Sequence, residues 1–230
     1  MSIAENIQEV RRRIAAAAEE SGRSGSDIIL VGASKMNPTE ACREAVAAGI
    51  DVLGENRVQE LLEKYQQGAY EGIPLHFIGT LQRNKVRQLV GKVSLIQSVG
   101  SLPVLDEIQR IAEKQGVQQE ILLEVNIGQE EAKSGFPAGE LFAAAQYAKT
   151  LPNLRVVGLM AIPPAETEAH GNVPYFQKVR SLYVDISQKL YDNSFKYLSM
   201  GMSGDFEDAI RCGANMVRVG SAIFGARHYA

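Results

Sequence analysis

"IILVGASKMNPTE", residues 28–40, decides how this chain is to be read. Ile28 to Ala33 are apolar or small and rich in β-branched side chains, the pattern of a strand buried on both faces. Ser34 and Lys35 close the run. Asn37, Pro38, Thr39 and Glu40 then supply a helix start: a capping residue, a proline suited to the first helical position and an acid in the first turn. A buried strand that passes within a few residues into a helix is the beginning of a βαβ unit.

The unit recurs. DVLGEN (51–56) precedes the helical VQELLEKYQ (58–66), and PLHFIGT (74–80) precedes LQRNKVRQLV (81–90). SLIQSVG (94–100) leads through a Ser101 cap into LPVLDEIQRIAEKQ (102–115). EILLEVNIG (120–128) leads to ELFAAAQYAK (140–149), and RVVGLMAI (155–162) to a helix from Tyr175 to Leu190. YLSMGMS (197–203) leads to DFEDAIRCG (205–213), and MVRVGSAIFG (216–225) is the last strand. One further helix stands in front, with Ile3, Ile7, Val10 and Ile14 at helical spacing and a capping box of Ser2 and Glu5. Short alternation of this kind forces parallel strands. The expected fold is α/β, a single (β/α)8 TIM barrel over residues 1–230 with an extra N-terminal helix beside the last strand. A doubly wound open sheet is the alternative, weakened because no GxGxxG follows the first strand.

Composition narrows the function. The 230 residues are 45% hydrophobic and 22% charged, with a net charge of -3. That balance offers no footprint for nucleic acid or an anionic membrane. No apolar run reaches the roughly 18 residues of a membrane span, and the N-terminus reads as a helix rather than a signal peptide. Cys42 and Cys212 lie far apart and read as reduced core residues of a cytoplasmic protein. His76, His170 and His228 lack metal-ligand spacing, so no metal is expected. The chain is expected to be a monomer whose partner is a small-molecule cofactor.

In a barrel of this kind the site is built from the C-terminal strand ends. Thr80, Ser98 and Asn126 are read there as ordinary polar strand ends. Lys35 differs, because it follows an apolar strand. A lysine among apolar walls loses part of its proton affinity and becomes a nucleophile toward carbonyls. The competing reading pairs it with Glu55 or Glu124. At the other end of the chain, Ser203 and Gly204 sit where the seventh strand turns into a helix, and Gly220 and Ser221 where the eighth strand ends. Backbone amides at such turns form a phosphate nest, and loops after strands seven and eight are its usual place in this fold. Arg218 shares a strand face with Gly220 and is expected in the mouth, unless it pairs with Glu124 or Asp205. An aldehyde-seeking lysine opposite a phosphate cradle fits pyridoxal 5'-phosphate. A sugar phosphate handled by aldol chemistry fits the same residues. Arg83, Lys85 and Arg87 on the 81–90 helix read as a solvated face, with a second anion-binding role open.

The motifs carry a resemblance over essentially the whole chain. VGASK (31–35) with Pro38, GENRVQE (54–60), LHFIGTLQRNK (75–85), EVNIG (124–128) with KSGF (133–136), GLMAI (158–162), SMGMSGDFEDAI (199–210) and VRVGSAIFG (217–225) resemble the pyridoxal-phosphate homeostasis protein family, also called proline synthetase co-transcribed or alanine-racemase N-terminal-like. Thr80 stands where that pattern more often has Pro or His. The resemblance implies a barrel like the first domain of bacterial alanine racemase. It implies that Lys35 holds the cofactor as an internal aldimine, that Ser203, Gly204, Gly220 and Ser221 touch its phosphate, that Arg218 lies near the pyridine ring, and that Asn56 and Met200 surround it. It further implies a role in intracellular homeostasis of pyridoxal phosphate and of amino and keto acids, with no robust catalytic activity and no catalytic residue. A racemase-type enzyme is the alternative. Racemisation needs two acid–base groups on opposite faces of Cα, and Tyr229, the tyrosine of the tail, has nothing in the sequence to fix it over the site.

Overall fold

The computed structural model describes residues 2–130, 134–165 and 168–225. Its elements, in order, are α1 (Ile3–Glu20), β1 (Ile29–Ala33), α2 (Thr39–Ala47), β2 (Val52–Glu55), α3 (Val58–Gln66), β3 (Leu75–Phe77), β4 (Leu95–Val99), α4 (Leu102–Gln115), β5 (Gln119–Asn126), β6 (Phe136–Pro137), α5 (Leu141–Lys149), β7 (Leu154–Ala161), α6 (Val173–Leu190), β8 (Tyr197–Ser199), α7 (Phe206–Arg211), β9 (Met216–Val219) and α8 (Ser221–Phe224). The strands pair in the order β4-β3-β2-β1-β9-β8-β7-β5, all parallel, and β4 pairs with β5 to close the ring. This is the expected (β/α)8 barrel. β6 is an addition: two residues laid along the C-terminal end of β5.

Strand alternation divides the core in two. Val31, Val52, Leu95, Leu122, Val157 and Met216 fill the barrel interior. The opposite faces, with Leu30, Leu53, Phe77, Ile96 and Ile121, pack against helix residues such as Leu61, Leu105 and Phe176. Both faces of most strands are therefore largely apolar, which is why the strands appear as hydrophobic runs. α1 has the expected capping box between Ser2 and Glu5. Its buried stripe of Ile7, Val10 and Ile14 lies against α7 and α8, and Asn6 Nδ2 donates to the Ile223 carbonyl at 2.8 Å.

Three local expectations need correction. Residues 81–90 form no α-helix; Arg83–Gln88 is a 3₁₀ segment. Arg83 and Arg87 would be like charges one α-turn apart, a destabilising pair, and the tighter winding staggers them. The last strand does not run to residue 225. It ends at Val219, and Ser221–Phe224 turns into α8, burying Ile223. Pro38, not Asn37, is the helix cap of α2, and the Asn37 side chain donates to the Lys35 carbonyl at 3.0 Å. A strand glycine also has a structural reason. Gly158 sits in a bulge of β7 at φ 154°, and a Cβ there would lie 1.8 Å from the Tyr197 carbonyl oxygen. Only glycine lets β7 and β8 meet.

The interior is not wholly apolar. Arg218, 4% exposed, donates through Nη1 to Ser199 Oγ at 2.6 Å. Ser199 Oγ donates to Gln97 Oε1 at 2.6 Å, and Gln97 Nε2 lies 2.9 Å from His76 Nδ1. Arginine can only donate, so Ser199 accepts from it; with the Ser199 proton on Gln97 Oε1, the Gln97 amide presents N–H to the Met216 sulfur at 3.2 Å and to an unprotonated His76 nitrogen. His76 is buried, and burial alone lowers its pKa to about 3. An unfolded histidine binds a proton below about pH 6.5, whereas the folded one refuses it until near pH 3. The contribution is therefore intact above about pH 6.5 and is lost as pH falls toward 3, at up to about 1.4 kcal/mol per unit. Urea unfolding between pH 4 and 7 should show a steeper acid loss for the wild type than for His76→Gln. Parallel pH profiles would contradict a neutral His76.

Candidate functional site

Parallel closure puts every strand's C-terminal end on one rim, and the polar residues singled out in the sequence gather there. On β1, Ile29, Val31 and Ala33 are the inward positions, and Lys35 continues that alternation one step past the strand. Lys35 is half-buried. Its neighbours are fixed. Ser34 is fully buried; its N–H donates to the Gly54 carbonyl at 3.0 Å and its Oγ to Glu55 Oε1 at 2.7 Å. The Met36 N–H donates to Glu60 Oε1 at 2.5 Å. Glu55, one of the carboxylates weighed as a partner of Lys35, faces the helix layer, where Lys64 Nζ at 2.7 Å and Tyr70 OH at 3.0 Å also bind it. Glu124, the other, accepts from Ser134 Oγ at 2.8 Å. Burial pushes the Glu124 carboxyl up from its ordinary value, against the opposing effects of Ser134 and Arg218.

Ser203 and Gly220, 17 residues apart, meet. The Ser203 Oγ accepts from the Gly220 N–H at 3.2 Å and from the Ala222 N–H at 3.4 Å. Two serine–glycine elements after neighbouring strands thus form one nest, with Ser221 exposed on it at the first position of α8. Gly204 is exposed too, and a Cβ built on it meets nothing within 4 Å. A Cβ on Gly220 would lie 3.3 Å from the Ala33 carbonyl oxygen, so the nest borders the end of β1. Asp205, which follows, accepts from the Met202 N–H at 2.6 Å and from Asn172 Nδ2 at 2.8 Å, bracing the turn.

Arg218 stands on the inner face of β9, opposite Val31 of β1. Neither carboxylate weighed as its partner bonds it directly: its hydrogen bonds run to Ser199 and, through Nη2, to the Ala161 carbonyl at 2.9 Å. Burial lowers its pKa to about 10, opposed by the charges of Glu124 and Asp205, so it stays a cation at neutral pH. Asn56 directly follows β2, one residue past Glu55. Its Oδ1 is buried and lacks a hydrogen-bond partner, an orphan acceptor at the rim. Gly79 makes that position possible, because a Cβ on it would lie 2.0 Å from the Asn56 carbonyl oxygen. Met200 differs from the others. It is fully buried in the strand–helix layer, with Ser199 on the interior side, so its side chain is core.

Among the residues read as ordinary strand ends, Asn126 ties down its own loop, donating to the Glu130 carbonyl at 2.9 Å. Ser98 is buried with an unpartnered Oγ. Sequence reasoning missed Ser199, Gln97 and His76. Their signal was present: each is a polar residue at an inward position of a strand otherwise apolar on that face. Lys133, Tyr229 and His228 lie outside the described residues. Among the described residues no group of three or more His, Cys, Asp or Glu is placed to hold a metal ion, and no helix is long and apolar enough to cross a membrane.

Comparison with known proteins agrees with this geometry. The Aquifex aeolicus pyridoxal phosphate homeostasis protein is 44% identical over 229 residues, covering all of both chains. The solved structure of PipY from Synechococcus elongatus PCC7942 with PLP bound superimposes with a TM-score of 0.84 at 31% identity, covering 97% of this chain and all of PipY. An alanine racemase of Clostridium difficile shares the fold at a TM-score of 0.74 and 20% identity, covering 98% of this chain but 58% of the racemase. The family model for the alanine racemase N-terminal domain matches residues 2–228. This chain belongs to the alanine racemase N-terminal domain family.

Proposed function

We propose that this protein binds pyridoxal 5'-phosphate in the barrel mouth, covalently at Lys35, and serves the intracellular homeostasis of that cofactor and of amino and keto acids without robust catalysis of its own. The observation that carries the reading is the nest at Ser203, Gly220 and Ala222, two amides converging on one hydroxyl beside the strand that leads to Lys35. The Aquifex relative's name and the PLP-bound PipY structure support the same ligand.

The residues fit the group. Gly204 leaves open space at the nest, and Asn56 offers a buried amide with an unpartnered oxygen. Gly220 and Ser221 bring the first amides of α8. Met200, buried in the strand–helix layer, contributes to the core behind the site and not to its lining. When bound, the cofactor supplies an electrophilic aldehyde and an electron-withdrawing ring. Lys35 would hold the group through its amine, a nucleophile toward a carbonyl. Arg218, a donor that keeps its proton, would face an acceptor on the ring and leave that acceptor unprotonated, which supports holding over turnover. The setting we propose is a single-domain cytoplasmic monomer acting on small molecules alone.

Because nothing in the protein opposes a side chain at Gly204, a substitution there probes the ligand rather than the fold. Gly204→Val should melt as the wild type does. It should weaken pyridoxal phosphate by at least about tenfold, equivalent to one lost charge-assisted hydrogen bond, and leave pyridoxal unchanged. Equal losses for the two ligands would move the phosphate elsewhere. Incubation of the loaded protein with L-alanine should leave its chirality intact. Turnover at the usual enzymatic rates of about 1–1,000 per second would favour the racemase.

A further inference from the structure

A buried charge cluster behind the rim grips both neighbours of Lys35. Lys64 on α3 is nearly enclosed, yet its ammonium makes three contacts: Glu55 Oε1 at 2.7 Å, Glu60 Oε1 at 2.7 Å and the Ser34 carbonyl at 2.9 Å. Three N–H groups meet three acceptors, so the ammonium is saturated. Burial disfavours its charge, but the two carboxylates outweigh burial and raise its pKa above the ordinary value. Glu60 has a second task, because the Oε1 that faces Lys64 also accepts the Met36 N–H at 2.5 Å. Met36 is exposed and adopts φ 61°, a left-handed conformation that a side chain makes unfavourable. Nothing buries Met36 to hold it so. The turn is closed on itself by the Asn37 N–H, which donates to the Ser34 carbonyl at 3.1 Å, and it is tied to α3 by the hydrogen bond from the Met36 N–H to Glu60.

Resting on the assignment of Lys35 above, we propose that Glu60 and Lys64 are positioning residues for it. They fix the peptides on either side of Lys35 and so set the direction in which its amine enters the mouth. Lys64 anchors the residue before Lys35 through the Ser34 carbonyl, and Glu60 anchors the residue after it through the Met36 amide. The Asn37 side chain closes the turn on the Lys35 carbonyl. A lysine side chain has several rotatable bonds, and its effective concentration at the aldehyde depends on where its Cα is held. Without the clamp the turn keeps only its own Asn37 contacts, and Met36 is freer to leave the left-handed region and carry Lys35 with it. The pair Glu60–Lys64 is thus more than an i,i+4 ion pair on α3.

The test compares three substitutions at Glu60 by the rate at which the cofactor-free protein develops the visible absorbance of bound pyridoxal phosphate. Acetylation of Lys35 in the cofactor-free protein, read by peptide mass spectrometry, is the second readout. Glu60→Ala removes both contacts. Glu60→Asp keeps a charge near Lys64 but is one methylene too short to reach Met36. Glu60→Gln keeps an acceptor for Met36 and leaves Lys64 to Glu55. The Ala and Asp variants should slow attachment by about tenfold or more, the worth of a hydrogen bond to a charged group, and change the acetylation rate of Lys35. The Gln variant should recover to within about threefold of wild type. If Glu60→Ala does not fold, Glu60→Asp decides alone. Attachment at the wild-type rate in a folded Asp or Ala variant, or a Gln variant as slow as Ala, overturns the clamp. Lys35→Ala is the control: lost colour there with unaltered Glu60 variants refutes the clamp only, whereas colour retained in Lys35→Ala refutes the lysine assignment and the clamp together.

Discussion

The pairing of β1 with β9, the first strand with the last, is the constraint from which the site follows. It makes β2, β1, β9 and β8 four consecutive strands, and their ends carry residues 56, 35, 220 and 203, although 185 positions of sequence separate 35 from 220. The contact of β4 with β5 then closes the ring round one mouth. Closure also dictates what lies beneath that mouth. Eight strands leave an interior only wide enough for side chains to fill. Most of that filling is aliphatic, with one exception that crosses the interior from β9 and β8 to β4 and β3.

The exception is the chain from Arg218 through Ser199 and Gln97 to His76. A guanidinium 4% exposed is costly unless its donors are met. Here the donors on Arg218 meet Ser199 and the Ala161 carbonyl, and Ser199 and Gln97 pass the chain on to His76. The chain therefore fixes the arginine in place and keeps a neutral histidine at its far end. On the other side of the strands, Glu55, Lys64 and Glu60 do the equivalent for the Lys35 turn. Two buried polar networks, one inside the barrel and one outside it, converge on two neighbouring strands, β1 and β9. Rigidity at the mouth comes from these networks, since the residues of the mouth itself are partly exposed.

The barrel was legible in the sequence because its strands are apolar on both faces and its helices begin with recognisable caps. Boundaries were less so. SAIF after Gly220 looks like strand continuation, whereas the structure turns it into a helix with Ile223 buried and its carbonyl accepting from Asn6 of α1. The 3₁₀ segment at 83–88 was hidden by its helical apolar spacing, and β6 is too short to leave a pattern. Of the residues proposed for the site, Lys35, Ser203, Gly204, Gly220, Ser221 and Arg218 were suggested by residue chemistry at strand ends. Asn56 was legible as a polar strand end, but its role came only with the family resemblance, as did that of Met200, which is core. Glu60 and Lys64 were invisible as a clamp, because in sequence they look like any i,i+4 pair on a solvated helix. Their burial depends on β1 and β2 lying beneath α3, which only the tertiary structure supplies.

The central claim is that Lys35 is the residue on which the cofactor is held. Borohydride reduction of the loaded protein makes the carbon–nitrogen link permanent, and peptide mapping by mass spectrometry then locates it. The expected result is a single pyridoxyl-phosphate adduct on the peptide containing Lys35, absent when Lys35→Ala is treated in the same way. An adduct of equal yield on another lysine, or one that survives Lys35→Ala, would contradict the account.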